Sequence, residues 1–243
     1  MSTPREPAYL DPYQPACHFP DVSLALEEPD GLLAVGGNLT PATLLNAYQS
    51  GIFPWYSDGQ PILWWSPNPR AVIYPERLKV SRSLKKRLRQ GQFEVTLDHA
   101  FEEVISACAT ARDDGAGTWI TSEMRAAYIT MHRLGHAHSV ETWRDGALVG
   151  GLYGIAIGQL FFGESMFSHA SDASKVAFAL FVEQLKRWQF SLIDCQIGSP
   201  HMTSLGAEEI ARSAFINHID AACRTPSLAP KQWRCTLSAQ TPA

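Results

Sequence analysis

The spacing of apolar residues along this chain changes period several times, and each change predicts an element. Phe101, Val104, Ile105 and Cys108 recur at helical spacing within residues 100–111. Ala126, Tyr128, Met131 and Leu134 do so again, between Ser122, read as a helix cap, and Gly135, read as a left-handed stop. From His138 the pattern becomes extended runs broken by short turns. His138 to Trp143, Ala147 to Ile157 and Leu160 to Met166 are separated by Asp145-Gly146 and Gly158-Gln159, which predicts a β-meander with a bulge at Gly150-Gly151. Ser171 or Asp172 then caps a helix through Phe178, Phe181, Val182 and Leu185, and a strand follows from Ser191 to Gln196. A sheet with interposed helices predicts a mixed α/β (α+β) fold.

The N-terminal part is patterned differently. Residues 1 to about 20 are Pro-rich, with Pro12, Pro15 and Pro20 closing off any helix, and read as an arm or a strap over the surface. Leu32 to Val35 is a short apolar run between the turn signals Pro29-Asp30-Gly31 and Gly36-Gly37-Asn38. Thr40-Pro41 reads as N-cap and first helical position of a helix that stops at Gly51. Two loop-like stretches, 52–56 and 62–70, carry Trp55, Trp64 and Trp65. Such aromatics serve either as packing between domains or as stacking faces for an unpaired nucleotide, with Trp55 beside Pro54 the first candidate. Trp119, preceded by Gly115-Ala116-Gly117, is the second.

At 243 residues and 45% apolar content the chain is long enough for a large domain, or a small one plus a medium one. The boundary is placed to give 1–68 and 69–243. The first residues hold no apolar leader, no stretch reads as membrane-spanning, and five scattered cysteines without a C-x-x-C spacing suggest reduced thiols in the cytoplasm. His132, His136 and His138 cluster without a nearby acidic partner set, so no metal site is expected. A net charge of -4 argues against indiscriminate polyanion binding. Lys79, Arg82, Lys85, Lys86, Arg87 and Arg89 nevertheless crowd one helical segment, with Leu78, Leu84 and Leu88 opposite and Ser81 or Ser83 as cap. That segment is either a solvated face or a place for phosphate contacts.

The chemistry concentrates between Gln159 and Gln196. Glu164 closes an apolar strand, and period-two geometry is expected to point Asp194 and Gln196 to one face of another. A buried carboxylate is costly unless paired or used, which leaves a structural hydrogen-bond network or a site. Phe161, Met166, Phe181 and Ile193 supply an apolar cavity beside these polar groups. Cys195, between the two, is expected to face the opposite way and to be core.

The order helix, meander, helix, strand resembles the GNAT acyltransferase fold. The segment Ser165 to Asp172 has none of the glycines that cradle pyrophosphate in acetyl-CoA enzymes of that class, so acetyl-CoA is a poor fit. The full set of motifs resembles the leucyl/phenylalanyl-tRNA-protein transferase family. It comprises Gly31-Leu32-Leu33-Ala34-Val35-Gly36-Gly37, Tyr48-Gln49-Ser50-Gly51-Ile52-Phe53-Pro54-Trp55, Leu63-Trp64-Trp65-Ser66-Pro67, Gly117-Thr118-Trp119-Ile120, Gly163-Glu164-Ser165-Met166-Phe167 and Ile193-Asp194-Cys195-Gln196. Departures are Ser199-Pro200-His201 where the family commonly has Asn-Asp-His, and Leu152 where Met is common.

The resemblance implies transfer of Leu, Phe or Met from aminoacyl-tRNA to a protein whose N-terminal residue is Arg or Lys, marking it for N-end-rule degradation. It implies a cytoplasmic monomer, with a small N-terminal domain and a GNAT-like C-terminal domain. Trp55 and Trp119 would hold the terminal adenosine, and Tyr48 and Tyr128 would flank the acceptor end. Leu152, Phe161, Met166, Phe181 and Ile193 would form the amino-acid pocket, and the basic segment would meet the tRNA. Glu164, Asp194 and Gln196 would be the polar centre: Gln196 accepting a hydrogen bond from the attacking amine, Asp194 orienting Gln196 and taking up charge, and Glu164 helping to bind the cationic acceptor. No cofactor is called for, because an aminoacyl ester is already activated. Two other readings stand beside this one: an N-acyltransferase of the same fold with another donor, and a non-catalytic RNA-binding module.

Overall fold

The computed structural model describes residues 6–110 and 119–238, so Gly115-Ala116-Gly117 lies outside the described residues. The N-terminal part contains β1 (Ala8–Leu10), β2 (Leu32–Gly36), helix α1 (Pro41–Gln49), β3 (Phe53–Pro54) and β4 (Leu63–Trp65). They form a four-stranded sheet in the order β1-β2-β4-β3. The Pro-rich strap thus contributes a strand, β1, paired parallel with β2. The tryptophan stretches read as loops are also strands. Trp64 sits opposite both Ala34 and Pro54, is fully buried, and donates its indole N–H to Gly36 O at 2.8 Å. Helix α1 starts as its sequence predicts, with Thr40 Oγ1 accepting the Thr43 N–H and Pro41 in the first position. Gly51 takes φ +73° beyond its end, the left-handed conformation that favours glycine, and a Cβ there would also press on Ile216 Cδ1 at 2.7 Å.

The rest of the described chain runs β5 (Arg70–Ile73), α2 (Arg82–Gln90), β6 (Glu94–Leu97), α3 (Phe101–Thr110), α4 (Ser122–Arg133), β7 (Ala137–Arg144), β8 (Ala147–Ile157), β9 (Leu160–Ser168), α5 (Ala173–Arg187), β10 (Leu192–Gln196), α6 (Pro200–Ser204), β11 (Glu208–Ile210), α7 (Arg212–Ala222) and β12 (Cys235–Leu237). Its sheet has eight strands in the order β11-β5-β10-β9-β8-β7-β6-β12. The meander β7-β8-β9 is antiparallel, and α5 carries the chain over to make β10 parallel to β9. This is the mixed α/β arrangement that the sequence pattern predicts.

Apolar side chains leave both faces of this sheet and form two cores. On one face Phe162 and Leu192 join α1, α3, α4, α7 and the small sheet; on the other Phe161 and Ile193 join α2, α5 and Trp233. Two local expectations need correcting. The irregularity in β8 falls between Leu148 and Gly150, opposite Thr142 and Trp143, rather than at Gly150-Gly151, and a second one lies in β9, where Glu164 is the extra residue between the partners of Tyr153 and Gly154. Those glycines serve close packing instead, since a Cβ at Gly150 would lie 2.6 Å from the Ala173 Cβ. The histidine cluster does have an acidic partner. Asp98, brought in from the turn after β6, lies 2.8 Å from His138 Nδ1, and the His138 ring stacks on Trp233 at 3.7 Å. Among the described residues no group of three or more His, Cys, Asp or Glu side chains is arranged to hold a metal ion, and no helix is long and apolar enough to cross a membrane.

Candidate functional site

Strands β9 and β10 pair only as far as Phe162 and Asp194. Beyond that point residues 163–166 of one and 194–198 of the other line a cleft of about 420 Å³. Its other walls are Phe53, Pro54 and Trp55 from the small sheet, Trp119, Leu152 from β8, Phe178 from α5, and His201 and Met202 from α6. The cleft is apolar at the end formed by Leu152, Phe161, Met166, Phe178 and Ile193, and polar where Glu164, Asp194 and Gln196 meet. That combination is what recognition of a small apolar side chain requires.

Glu164 is the hub of the polar end. It is 7% exposed. Its Oε1 accepts the Tyr48 hydroxyl at 2.7 Å and the Gln196 Nε2–H at 2.9 Å, while Oε2 accepts the Tyr128 hydroxyl at 3.0 Å. The two tyrosine hydroxyls also touch each other. Burial pushes the Glu164 carboxyl up to about 7, against the stabilising hydroxyls of Tyr48 and Tyr128 and with the Asp194 charge adding to the rise. Burial raises both phenols well above their ordinary value, with the Glu164 charge as second cause. They therefore stay protonated and donate.

Asp194 is fully buried and is held by a residue that the sequence did not single out. Arg70 of β5, 1% exposed, forks onto it with Nε at 2.8 Å from Oδ1 and Nη2 at 2.7 Å from Oδ2. Asp194 Oδ1 also accepts the backbone N–H of Gln196 at 2.9 Å. The register slips here, with Asp194 opposite Val72 and Gln196 opposite Ala71, and Gln196 takes φ +62°. Asp194 turns to Arg70 and Gln196 reaches Glu164 on one face, while Cys195 packs beside Ile193 against the core of α2 and α5, as expected, and also borders the cleft. Burial and the neighbouring Asp194 charge raise the Cys195 thiol far above its usual range, so it is not a thiolate at neutral pH.

Because Gln196 donates through Nε2 to a carboxylate, its side-chain oxygen is the atom left over, with no hydrogen bond among the described residues. The cleft therefore presents a neutral acceptor at its polar end, backed by a carboxylate that titrates near neutrality.

The remaining sequence-predicted residues divide. Trp55, 41% exposed, and Trp119, half-buried, both wall the cleft. Leu152, Phe161, Met166 and Ile193 line its apolar end. Phe181 does not. It is fully buried behind Phe161 with ring centroids 4.8 Å apart, and Phe178, three residues earlier on α5, takes its place. Tyr48 and Tyr128 do not reach the cleft surface either; both are fully buried with their hydroxyls on Glu164, so they support it and offer no ring to a ligand. Glu164 itself is committed to those tyrosines and Gln196, which leaves it poorly placed to take a cationic side chain. The basic segment apart from Lys79 lies on α2, capped by Ser81. Lys79, Arg82, Lys85, Lys86 and Arg89 are exposed, Arg87 pairs with Asp172 at 3.6 Å, and none of the six lines the cleft.

Comparison with known proteins gives two family matches. Residues 72–220 match the model described as leucyl/phenylalanyl-tRNA protein transferase, and residues 37–68 match that of its N-terminal domain. The leucyl/phenylalanyl-tRNA–protein transferase of Aromatoleum aromaticum is 56% identical over 222 residues, 91% of this chain and 93% of the relative. The protein of the same name from Chromohalobacter salexigens is 60% identical over 208 residues, 86% and 81% of the two chains. Among solved structures, a GCN5-related N-acetyltransferase from Kribbella flavida aligns over 70% of this chain and 61% of its own, at 16% identity and a TM-score of 0.38, too low to add to the fold described above.

Proposed function

The chain belongs to the leucyl/phenylalanyl-tRNA–protein transferase family, and from that premise we propose how its cleft carries out aminoacyl transfer from tRNA to protein. The donor's Leu, Phe or Met side chain fills the end lined by Leu152, Phe161, Met166, Phe178 and Ile193. The terminal adenosine lies against Trp55 and Trp119, and the basic face of α2 meets the tRNA phosphates. The acceptor is the α-amine of a protein beginning with Arg or Lys, which transfer marks for N-end-rule degradation. The enzyme works as a monomer in the cytoplasm, and we place the boundary between a small N-terminal domain and the catalytic domain at 68/69.

An aminoacyl ester is already an activated acyl donor. An α-amine of pKa about 8 costs only about 1 kcal/mol to deprotonate at neutral pH. Placing it beside the ester contributes roughly 7–11 kcal/mol, much the larger effect. The residues therefore have to position and to guide one proton. Gln196 Oε1 accepts an N–H of the attacking amine. Its own Nε2–H on Glu164 fixes which way the amide faces, and ionised Glu164 strengthens the pull. The N–C bond forms as the ester C–O bond breaks, and the amine's proton ends on the departing ribose oxygen. Asp194 acts on the backbone of Gln196 and, neutralised by Arg70, is not the group that takes up charge. The observation that carries this reading is the Glu164–Gln196 bond, which aims an unpartnered oxygen into a cleft with an apolar far end.

Incubation with radiolabelled leucyl-tRNA and a peptide beginning with Arg, alongside a twin beginning with Ala, tests it. Label in the Arg peptide alone is the expected result. No transfer by folded protein would favour a binding module, and RNase-insensitive acylation would point to another donor.

A further inference from the structure

We infer that Arg70 is a positioning residue for this reaction, tying the tryptophan wall of the cleft to its reacting end; the inference rests on the function proposed above. Arg70 touches neither donor nor acceptor in that scheme. Its fork closes on both oxygens of Asp194, and the oxygen nearer Nε is the one that accepts the Gln196 N–H. That hydrogen bond holds a non-glycine residue at φ +62°, a conformation that persists only where its surroundings enforce it. The chain of contacts thus runs from guanidinium to carboxylate, to a left-handed backbone, to the amide that faces the amine.

The same guanidinium reaches the opposite wall. Its Cζ lies over the Phe53 ring, 4.8 Å from the centroid, and over that of Phe215 at 4.6 Å. Phe53 belongs to β3, which leads directly into Trp55, and Phe215 belongs to α7. One side chain therefore joins the small sheet, α7 and β10. Stability alone is a weak reason for it. Nη1 is buried and donates to no described group, and apolar residues of similar volume commonly replace a buried ion pair without loss. What they do not replace is the fork that orients Gln196.

The expected outcomes differ between charge and shape. Arg70→Lys keeps the charge and loses the fork. It should fold with a lowered Tm, since the bidentate bond and both ring contacts are lost, lower kcat of the folded protein at least about tenfold, and leave the acid limb of the pH–rate profile in place. Arg70→Ala should lose more, and its acid limb should move to higher pH, because Asp194 then faces Glu164 without compensation. The other titratable groups on Glu164, Tyr48 from α1 and Tyr128 from α4, are unchanged. Millimolar guanidinium should restore kcat of Arg70→Ala at least about fivefold and return the limb, where sodium at equal ionic strength does neither. A folded Arg70→Lys with wild-type kcat, or an Arg70→Ala that guanidinium leaves untouched, would overturn the assignment. A wild-type protein that transfers nothing would overturn the proposed function first; wild-type transfer with indifferent Arg70 variants would overturn this inference alone.

Discussion

Glu164→Gln isolates what burial does to the carboxylate at the centre of the cleft. The native fold holds this carboxyl near 7, against an ordinary 4.5. Between those values the folded protein binds a proton that the unfolded chain has released, so stability falls as pH rises through that window and levels off above it. At about 1.4 kcal/mol per unit the window is worth roughly 3 kcal/mol, and the side chain is too buried for solvent screening to reduce it much. Gln is isosteric and does not titrate. Urea unfolding of both proteins at intervals from pH 5 to 8 should therefore show wild type losing roughly 2–3 kcal/mol relative to the variant, most of it below pH 7. A difference that stays flat with pH would mean that Glu164 ionises at an ordinary pKa, and one that grows in favour of wild type as pH rises would mean that the fold lowers it. The reading of the Glu164–Gln196 pair would then lose its basis.

Other substitutions separate roles within the same cleft. Cys195→Ala should keep turnover within about threefold, since the thiol is protonated; a loss of about 100-fold or more in folded protein would make the sulfur a participant. Trp55→Ala should raise KM for leucyl-tRNA about tenfold or more, a stacking contribution of roughly 1–3 kcal/mol, with kcat retained and Tm little changed because the ring is 41% exposed and touches mainly Trp65. Unchanged KM would remove it from donor binding. Isoleucyl-tRNA should transfer at least about tenfold more slowly than leucyl-tRNA, because a β-branch is a shape mismatch worth roughly 1–3 kcal/mol in an apolar pocket. Equal rates would contradict the assigned lining.

The elements with strong local signals were legible in the sequence. Thr40-Pro41, Ser81 and the turns at Asp145-Gly146 and Gly158-Gln159 mark their elements by local chemistry alone, and the meander follows. The three-residue strands β1, β4, β11 and β12 are too short for a period to emerge and exist because a neighbouring strand receives them. The same limit governs the site. Glu164, Asp194 and Gln196 stand out as polar residues in apolar runs. Arg70, 124 residues from its partner in sequence, does not. Nor does a sequence reveal that one extra residue in β10 would hold Gln196 at a positive φ, or that Tyr48 and Tyr128 would turn their hydroxyls inward. Phe178 and Phe181 differ by less than one helical turn, and only the packing of α5 decides which one meets the cleft.

The most direct test of the central claim is the initial rate of labelled leucine transfer from leucyl-tRNA to an Arg-initiated peptide by wild type and by Gln196→Ala. Gln196 is half-buried at the end of its strand, so the variant should fold. In Gln196→Ala kcat should fall about 100-fold or more with both KM values nearly unchanged, as for loss of a group that acts on the proton in flight. A folded variant that transfers leucine at the wild-type rate would contradict it.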